Sequence, residues 1–264
     1  MDQNAQDGIR AKLDRADEHL EALKNEIGVF LNGKPHVYWT KADVHKGRYA
    51  VHVTINAEPP LRLSVICGDY IQCLRSTLDY LVCAVVPKVT RRTAFPIFDN
   101  SDDYFCGVVL PARRKRQGPL TGLEVEGDLF AAIQQLQPHE GPHGHEAHFL
   151  FVLRELSNVD KHRAILARAA AHSAVTEPVG MIAHDVRLGH AQYELGQPLK
   201  NGAKVAWGTF DVTGPEPHVE MDGDFPVEIA FGDPPVRLNG LEQLRDGVRD
   251  VIALAFKLLG VPAL

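Results

Sequence analysis

The sequence predicts an α+β protein with a helical bundle core, an inserted β-hairpin, and a small antiparallel sheet before the C-terminal helix. Long segments carry apolar residues at spacings of three and four, which is the period of an amphipathic helix. Shorter segments alternate apolar with polar residues, which is typical of half-buried strands. Turns rich in glycine and proline separate the later strands, which favours antiparallel pairing.

The hydrophobic period changes several times along the chain, and each change marks a new element. Asn32-Gly33 is expected to end the first helix as a C-terminal cap, Pro87 ends the second, and Asn239 is expected to cap the last. The predicted helices are 8–31, 64–86, 123–136, 149–170 and 238–258. The predicted strands are 37–40, 49–56, 179–188, 203–213 and 225–231, and the segment 89–122 is expected to be irregular.

Three regions are predicted from these elements. Residues 1–172 form a helical core that contains the early hairpin, and residues 173–236 form the small antiparallel sheet. Residues 237–264 form a helix that packs back on the core.

Composition limits the classes of partner. The 264 residues have a net charge of −6, so an attraction for polyanions has to be local. The apolar runs are too short to cross a bilayer and the N-terminus is too polar for a signal peptide. The four cysteines include no CxxC pair, which is typical of reduced thiols. We therefore expect a cytoplasmic protein without a membrane partner.

A dense polar cluster, residues 158–163, interrupts the apolar pattern of the predicted helix 149–170. The second helix has a polar face that carries Gln72, Arg75 and Asp79. If the two faces meet, an imidazole, a guanidinium and carboxylates come together in a groove, which suits acid–base chemistry and the binding of an oxyanion. Otherwise, His162 is a partly buried imidazole held by Asn158. The candidate catalytic residues are Arg75, Asp79, Asn158, Asp160, His162 and Arg163.

Two further segments suggest binding sites. Residues 139–148 contain four histidines, which could bind a divalent metal, although their spacing matches no tight metal motif and no other cofactor is expected. The candidate metal ligands are His139, His143, His145 and His148. A basic run between Pro111 and Gly118 is the one obvious local attraction for phosphate groups. Its residues are Arg113, Arg114, Lys115 and Arg116.

Two motifs carry a family resemblance. The segments 74–81, LRSTLDYL, and 158–163, NVDKHR, with Phe95-Pro96-Ile97 between them, resemble a family of uncharacterised bacterial proteins. More distantly, the helical bundle is similar to the HEPN superfamily, many of whose members are metal-independent ribonucleases with a composite site at a homodimer interface. The resemblance implies RNA as a partner and a homodimer. Tyr80 stands where the HEPN motif has its histidine, so His162 would have to replace that group.

Three functions remain open from the sequence. The first is RNA cleavage or RNA binding by a HEPN-like protein at the polar inter-helix cluster. The second is a metal-dependent enzyme that uses the segment His139–His148. The third is a non-catalytic binding or scaffold protein, in which the cluster is a structural polar network.

Overall fold

The chain contains helices and small antiparallel sheets. This confirms the predicted α+β fold with a C-terminal helix after a small sheet. The computed structural model describes residues 1–114, 117–141, 145–171, 181–194, 198–221, 227–233 and 235–262. The helices are α1 (Gln3–Asn32), α2 (Leu61–Val85), α3 (Ser101–Tyr104), α4 (Leu110–Arg113), α5 (Asp128–Gln135), α6 (Phe149–His162) and α7 (Leu238–Leu258). The strands are β1 (His36–Asp43), β2 (Arg48–Ile55), β3 (Ala167–Ala171), β4 (Met181–His184), β5 (Val186–Tyr193), β6 (Lys204–Val212), β7 (His218–Met221), β8 (Val227–Phe231) and β9 (Val236–Arg237).

The described residues divide into two units. A helical unit contains those of 1–23, 64–165 and 239–264, and a sheet unit contains those of 24–63 and 166–238. The sequence assigns the hairpin β1–β2 to the helical core, whereas in the structure β2 pairs with β6, within the sheet unit. The predicted domain ranges 1–172, 173–236 and 237–264 stay predictions.

The core of the helical unit is built from the apolar stripes of its long helices. In α1, Ile9, Ala16 and Leu20 are fully buried, as their spacing predicts. The buried Tyr70 hydroxyl of α2 donates a 2.6 Å hydrogen bond to the Leu241 carbonyl of α7. Burial of these stripes stabilises each helix more than the helix propensity of its residues does.

The segment that was expected to be irregular contains a helical stretch. Helices α3 and α4 are joined by a π-helical turn, Phe105–Val109, so that residues 101–113 are helical throughout. Pro111 explains the turn, because a proline inside an α-helix clashes with the carbonyl four residues before it. That carbonyl belongs to Gly107, and the wider π-turn relieves the clash.

The sheet unit is organised around a four-stranded antiparallel sheet with the strand order β1-β2-β6-β5. Its inner face packs the cluster of Tyr49, Val51, Val53, Val205, Ala206, Phe210 and Val219. The hairpin turns through Val44–Lys46, and Gly47 after it has a φ of +57°, which glycine adopts without steric cost. The strands β3-β8-β9 and β4-β7 form two smaller sheets among the described residues.

The predicted helix 149–170 is too long, because α6 ends at His162 and residues 167–171 form a strand. Arg163 already has extended backbone angles, and its N–H donates the last helical bond, to the Val159 carbonyl. The alanine-rich strand β3 pairs along its length with β8. Alanine favours a helix, but that preference is a fraction of a kcal/mol per residue, and the pairing with β8 overrides it.

Other boundaries also differ from the prediction. The predicted strand 179–188 is divided at Asp185, whose φ of +51° turns the chain between β4 and β5. The single predicted sheet is three sheets among the described residues, with β3, β7 and β9 as additional strands. Asn239 lies inside the first turn of α7 instead of preceding it, so it is not the N-cap.

The long helices are amphipathic and not uniformly apolar. Within the described ranges, no helix combines the length and the hydrophobicity needed to cross a bilayer.

One residue gives a test of the backbone geometry. Lys34, after α1, has a φ of +51°, a left-handed conformation that disfavours a residue with a Cβ atom. We expect Lys34→Gly to raise the free energy of unfolding by about 0.5–1 kcal/mol, measured by urea denaturation. Asn25→Gly, at an exposed position in the interior of α1, should lower it instead. A loss of stability in Lys34→Gly would contradict the left-handed assignment.

Candidate functional site

Arg75 and Asp79, the predicted base and acid of α2, both bind the backbone of Phe95. Arg75 Nη2 lies 3.0 Å from Asp79 Oδ1 and donates a 2.8 Å hydrogen bond to the Phe95 carbonyl. The same Asp79 oxygen accepts a 2.8 Å hydrogen bond from the Phe95 N–H. Burial lowers the pKa of the Arg75 guanidinium, and the neighbouring Asp79 carboxylate opposes this shift. The pair is therefore committed to Phe95.

The segment Phe95–Phe98 is bound by side chains along its whole length. Gln137 donates a 3.0 Å hydrogen bond from Nε2 to the Pro96 carbonyl and accepts a 3.0 Å hydrogen bond from the Phe98 N–H. Arg154 Nη1 lies 3.4 Å from the Ile97 carbonyl, and His139 Nδ1 lies 3.2 Å from the Phe98 carbonyl.

A buried segment without helix or strand structure needs such partners. Phe95, Pro96 and Ile97 are buried, so water cannot satisfy their backbone groups. Each unsatisfied group would cost about 1–3 kcal/mol. We call Arg75, Asp79, Gln137, Arg154 and His139 the clamp, because these five side chains bind the backbone of residues 95–98.

A second polar contact joins α2 to α6. Gln72 Nε2 donates to Asp160 Oδ2 at 3.2 Å and lies 3.4 Å from the Ser157 hydroxyl. Asp160 also packs against the backbone of Gly68, where an added Cβ would lie 2.9 Å from the carboxylate carbon. Gly68 therefore lets α2 and α6 approach closely at this point.

The remaining residues of the predicted cluster point away from this contact. Asn158, His162 and Arg163 are exposed, with His162 at the last position of α6 and Arg163 just beyond it. The interpretation of His162 as a partly buried imidazole is therefore wrong. The structure brings Asp160 to α2 and leaves these three residues on the surface of the helical unit.

The cause is the rotation of α6 about its axis. The helix buries Leu150, Leu153, Leu156 and Ser157. Asp160 follows Ser157 by three residues, so it lies on the buried side. Asn158 lies about 100° and His162 about 140° further round the helix than Ser157, since each residue advances by about 100°. The prediction that the polar face of Asn158 and His162 meets α2 is therefore out of phase with the burial of α6.

Two of the predicted metal ligands have structural contacts instead. His139 belongs to the clamp, and its Nε2 atom lies 3.4 Å from a Glu140 carboxylate oxygen. The Nδ1 atom of His148 accepts a 3.3 Å hydrogen bond from the Leu150 N–H and so caps α6. His143 lies outside the described residues, as does the side chain of His145. Among the residues that can be assessed, no three metal-binding side chains cluster.

The basic run is only partly described. Arg113 ends α4, Arg114 follows it, and both are exposed on the helical unit. Lys115 and Arg116 lie outside the described residues. A phosphate-binding role for this run stays a prediction.

Gln137 and Arg154 were missed in the sequence, and His139 was assigned a different role, that of a metal ligand. Gln137 and His139 bind the backbone of the segment 95–98 from the segment after α5, and Arg154 binds it from α6. The sequence gives a partial signal for Gln137, because it is a single amide side chain between Leu136 and Pro138, where a helix ends. The other partners are set by tertiary packing, which no local pattern encodes.

Comparisons of this chain with family models, with curated proteins and with solved structures found no match. The resemblance to the bacterial family and to the HEPN superfamily therefore stays a prediction.

The clamp predicts a large stability effect at Arg75. Its side chain is only 16% exposed, and Arg75→Met would leave both the Phe95 carbonyl and the Asp79 carboxylate without this partner. We expect a loss of about 2 kcal/mol or more in the free energy of unfolding, measured by urea denaturation. Arg91→Met, at an exposed position, is the control and should stay within about 0.5 kcal/mol of the parent.

Asp79→Asn adds a graded test of the same clamp. The amide oxygen can still accept from the Phe95 N–H, so the loss should be smaller than for Arg75→Met. Equal stability of Arg75→Met and the parent protein would show that the clamp does not hold the segment.

The His148 cap predicts a dependence of stability on pH. Burial lowers the pKa of the His148 imidazole, so the folded state binds this proton more weakly than the unfolded state. Stability from this group is present above its unfolded pKa of about 6.5 and is lost as pH falls below that value. Protonation would also remove the acceptor for the Leu150 N–H.

We therefore expect His148→Asn, which keeps a capping acceptor, to lose less thermal stability than the parent when pH falls from about 7.5 to about 5.5. The measurement is the melting temperature of both proteins at the two pH values. His19 and His36, whose pKa values burial also lowers, remain in both proteins. Equal losses in the two proteins would count against a neutral His148 cap.

Proposed function

We propose that the protein is a non-catalytic binding protein, and that the predicted polar cluster is a structural network of the helical unit. The observation that supports this most directly is the commitment of Arg75 and Asp79 to the Phe95 backbone. A guanidinium that stabilises a phosphoryl transition state has to face the reacting group with its donors. That of Arg75 faces a carbonyl of its own chain.

The environment of the imidazole supports the same proposal. A catalytic histidine is held by a partner that sets its tautomer and its orientation. His162 is exposed at the end of α6. In the resemblance to the HEPN superfamily, Tyr80 of α2 stands where the motif has its histidine. A phenol cannot take the place of an imidazole that exchanges protons near neutral pH.

RNA cleavage and metal-dependent catalysis are the two alternatives. Both are tested by incubating the full chain, purified without a histidine tag, with single-stranded RNA in the presence and absence of a divalent metal. We expect intact RNA for the parent protein and for His162→Ala, and less than one equivalent of bound metal by elemental analysis.

Two outcomes would contradict the proposal. Cleavage that His162→Ala abolishes, while its melting temperature stays unchanged, would establish a catalytic histidine. One equivalent of metal that is lost in His139→Ala or His148→Ala would favour the metal-dependent enzyme. The exposed position of His162 makes the first variant a clean test, because its substitution should not disturb folding.

A further inference from the structure

The outer face of the four-stranded sheet carries an unusual set of side chains. The chain has two tryptophans, and Trp39 of β1 and Trp207 of β6 both lie on this face, opposite the buried cluster around Val51 and Val53. The Trp39 side chain is 44% exposed. A single exposed aromatic residue is ordinary, but several aromatic rings grouped on one exposed sheet face are typical of a binding surface.

The strand register brings these aromatic rings together. Trp39 pairs with His52 of β2, and their rings stack with centroids 4.5 Å apart and planes 15° apart. The His52 ring is held by a 3.1 Å contact between its Nδ1 atom and the Gly202 carbonyl. Trp207 pairs with Ala50, which lies two residues, or about 7 Å, along β2 from His52 on the same face. Two stacking positions, the Trp39–His52 pair and the Trp207 ring, therefore lie side by side on the outer face.

Cationic side chains lie among these rings. Lys41, Arg48 and Lys204 are exposed on the outer face, and Lys204 Nζ lies 4.0 Å from the centre of the Trp207 ring. Asp43, at one end of the hairpin, is already paired with Lys46 at 3.3 Å. We call Trp39, His52, Trp207, Lys41, Arg48 and Lys204 the aromatic–basic face. It concentrates positive charge on a chain whose net charge is −6.

We infer that the aromatic–basic face binds single-stranded nucleic acid, an inference that rests on the proposed binding function and names its partner. Unpaired bases stack on the Trp39–His52 pair and on Trp207, while the cations bind the phosphates between them. A base that stacks on Trp207 displaces the Lys204 ammonium, whose flexible side chain can then reach a neighbouring phosphate. A nucleic acid strand combines flat rings with regularly spaced negative charge, which matches both features of the face.

The neighbouring cleft fits this partner less well. An open cleft of about 780 Å³ adjoins the face at Lys204 and contains Arg168 and Lys200. Two carboxylates, Glu58 and Glu194, also line it and would repel a phosphate backbone. The face, and not the cleft, therefore carries the binding proposal.

The test is fluorescence anisotropy with labelled oligo(U) and oligo(dT) of about 12 nucleotides, within the range of known single-strand sites, and with an RNA duplex of the same length. The parent protein should bind the single strands and bind the duplex much more weakly, because paired bases offer no free faces. Comparing oligo(U) with oligo(dT) shows whether the 2′-hydroxyl contributes.

The central variant is Trp39→Ala, with Trp39→Phe as the conservative replacement. Trp39→Ala should weaken binding about tenfold or more, and Trp39→Phe should recover much of that loss. Phe105→Ala is the matched control, since Phe105 has nearly the same exposure, 43%, but lies in the helical unit. Melting temperatures of all variants establish that they fold.

A second variant measures the charges independently of the aromatic rings. Arg48→Gln combined with Lys204→Gln should reduce the slope of log K against log salt by about 1.4, since each phosphate contact to a single strand contributes about 0.7. Arg91→Gln is the control for the loss of a surface charge elsewhere. The double variant of Arg48 and Lys204, with its control, also tests the inference if Trp39→Ala fails to fold.

Several outcomes would overturn the inference. These are no binding to either oligonucleotide, equal binding by the parent and Trp39→Ala, or loss of binding in Arg113→Gln combined with Arg114→Gln but not in the face variants. Preferential binding to vesicles of anionic phospholipid would overturn it as well. None of these outcomes affects the proposed non-catalytic function, which fails on RNA cleavage or stoichiometric metal instead.

Discussion

The helical unit depends on satisfying the backbone of a buried segment that has no regular secondary structure. Inside a helix or sheet, each N–H and carbonyl finds a partner on the chain itself, but Phe95–Phe98 cannot use that solution. Five side chains from α2, α6 and the segment after α5 provide the partners instead. These polar residues suggest a reactive site in the sequence. In the structure they bind backbone groups instead, and this allows the apolar segment to be buried.

This constraint explains why chemical composition alone suggests a catalytic site here. An arginine, an aspartate and a histidine are the residues of acid–base and phosphoryl chemistry, and they are also the best partners for buried backbone groups. The difference lies in what their polar atoms face. The donors of Arg75 face the Phe95 carbonyl, whereas the rings of Trp39 and His52 lie on an exposed sheet face.

The sequence predicted the periodic elements well and the tertiary partners poorly. The stripes of α1, α2 and α7 and the alternation in β2 reproduce the observed burial, because one buried face imposes a period on the residues that form it. Residues 167–170 were assigned to a helix, because alanine carries no signal for the strand β8 with which they pair. The rotation of α6 was missed for a similar reason, since Ser157 and Asp160 face α2 through contacts that are distant in the sequence.

The clamp also bears on the order in which the helical unit assembles. Arg75 lies 20 residues from Phe95, Gln137 lies 41 residues from Pro96, and Arg154 lies 57 residues from Ile97. These contacts can close only after the helices that carry them have met, because each closure orders a loop of that length. We therefore expect the clamp to form late in folding, and its loss to act mainly on the rate at which the native state unfolds. A segment that is sealed last is also the natural starting point for local unfolding of this unit.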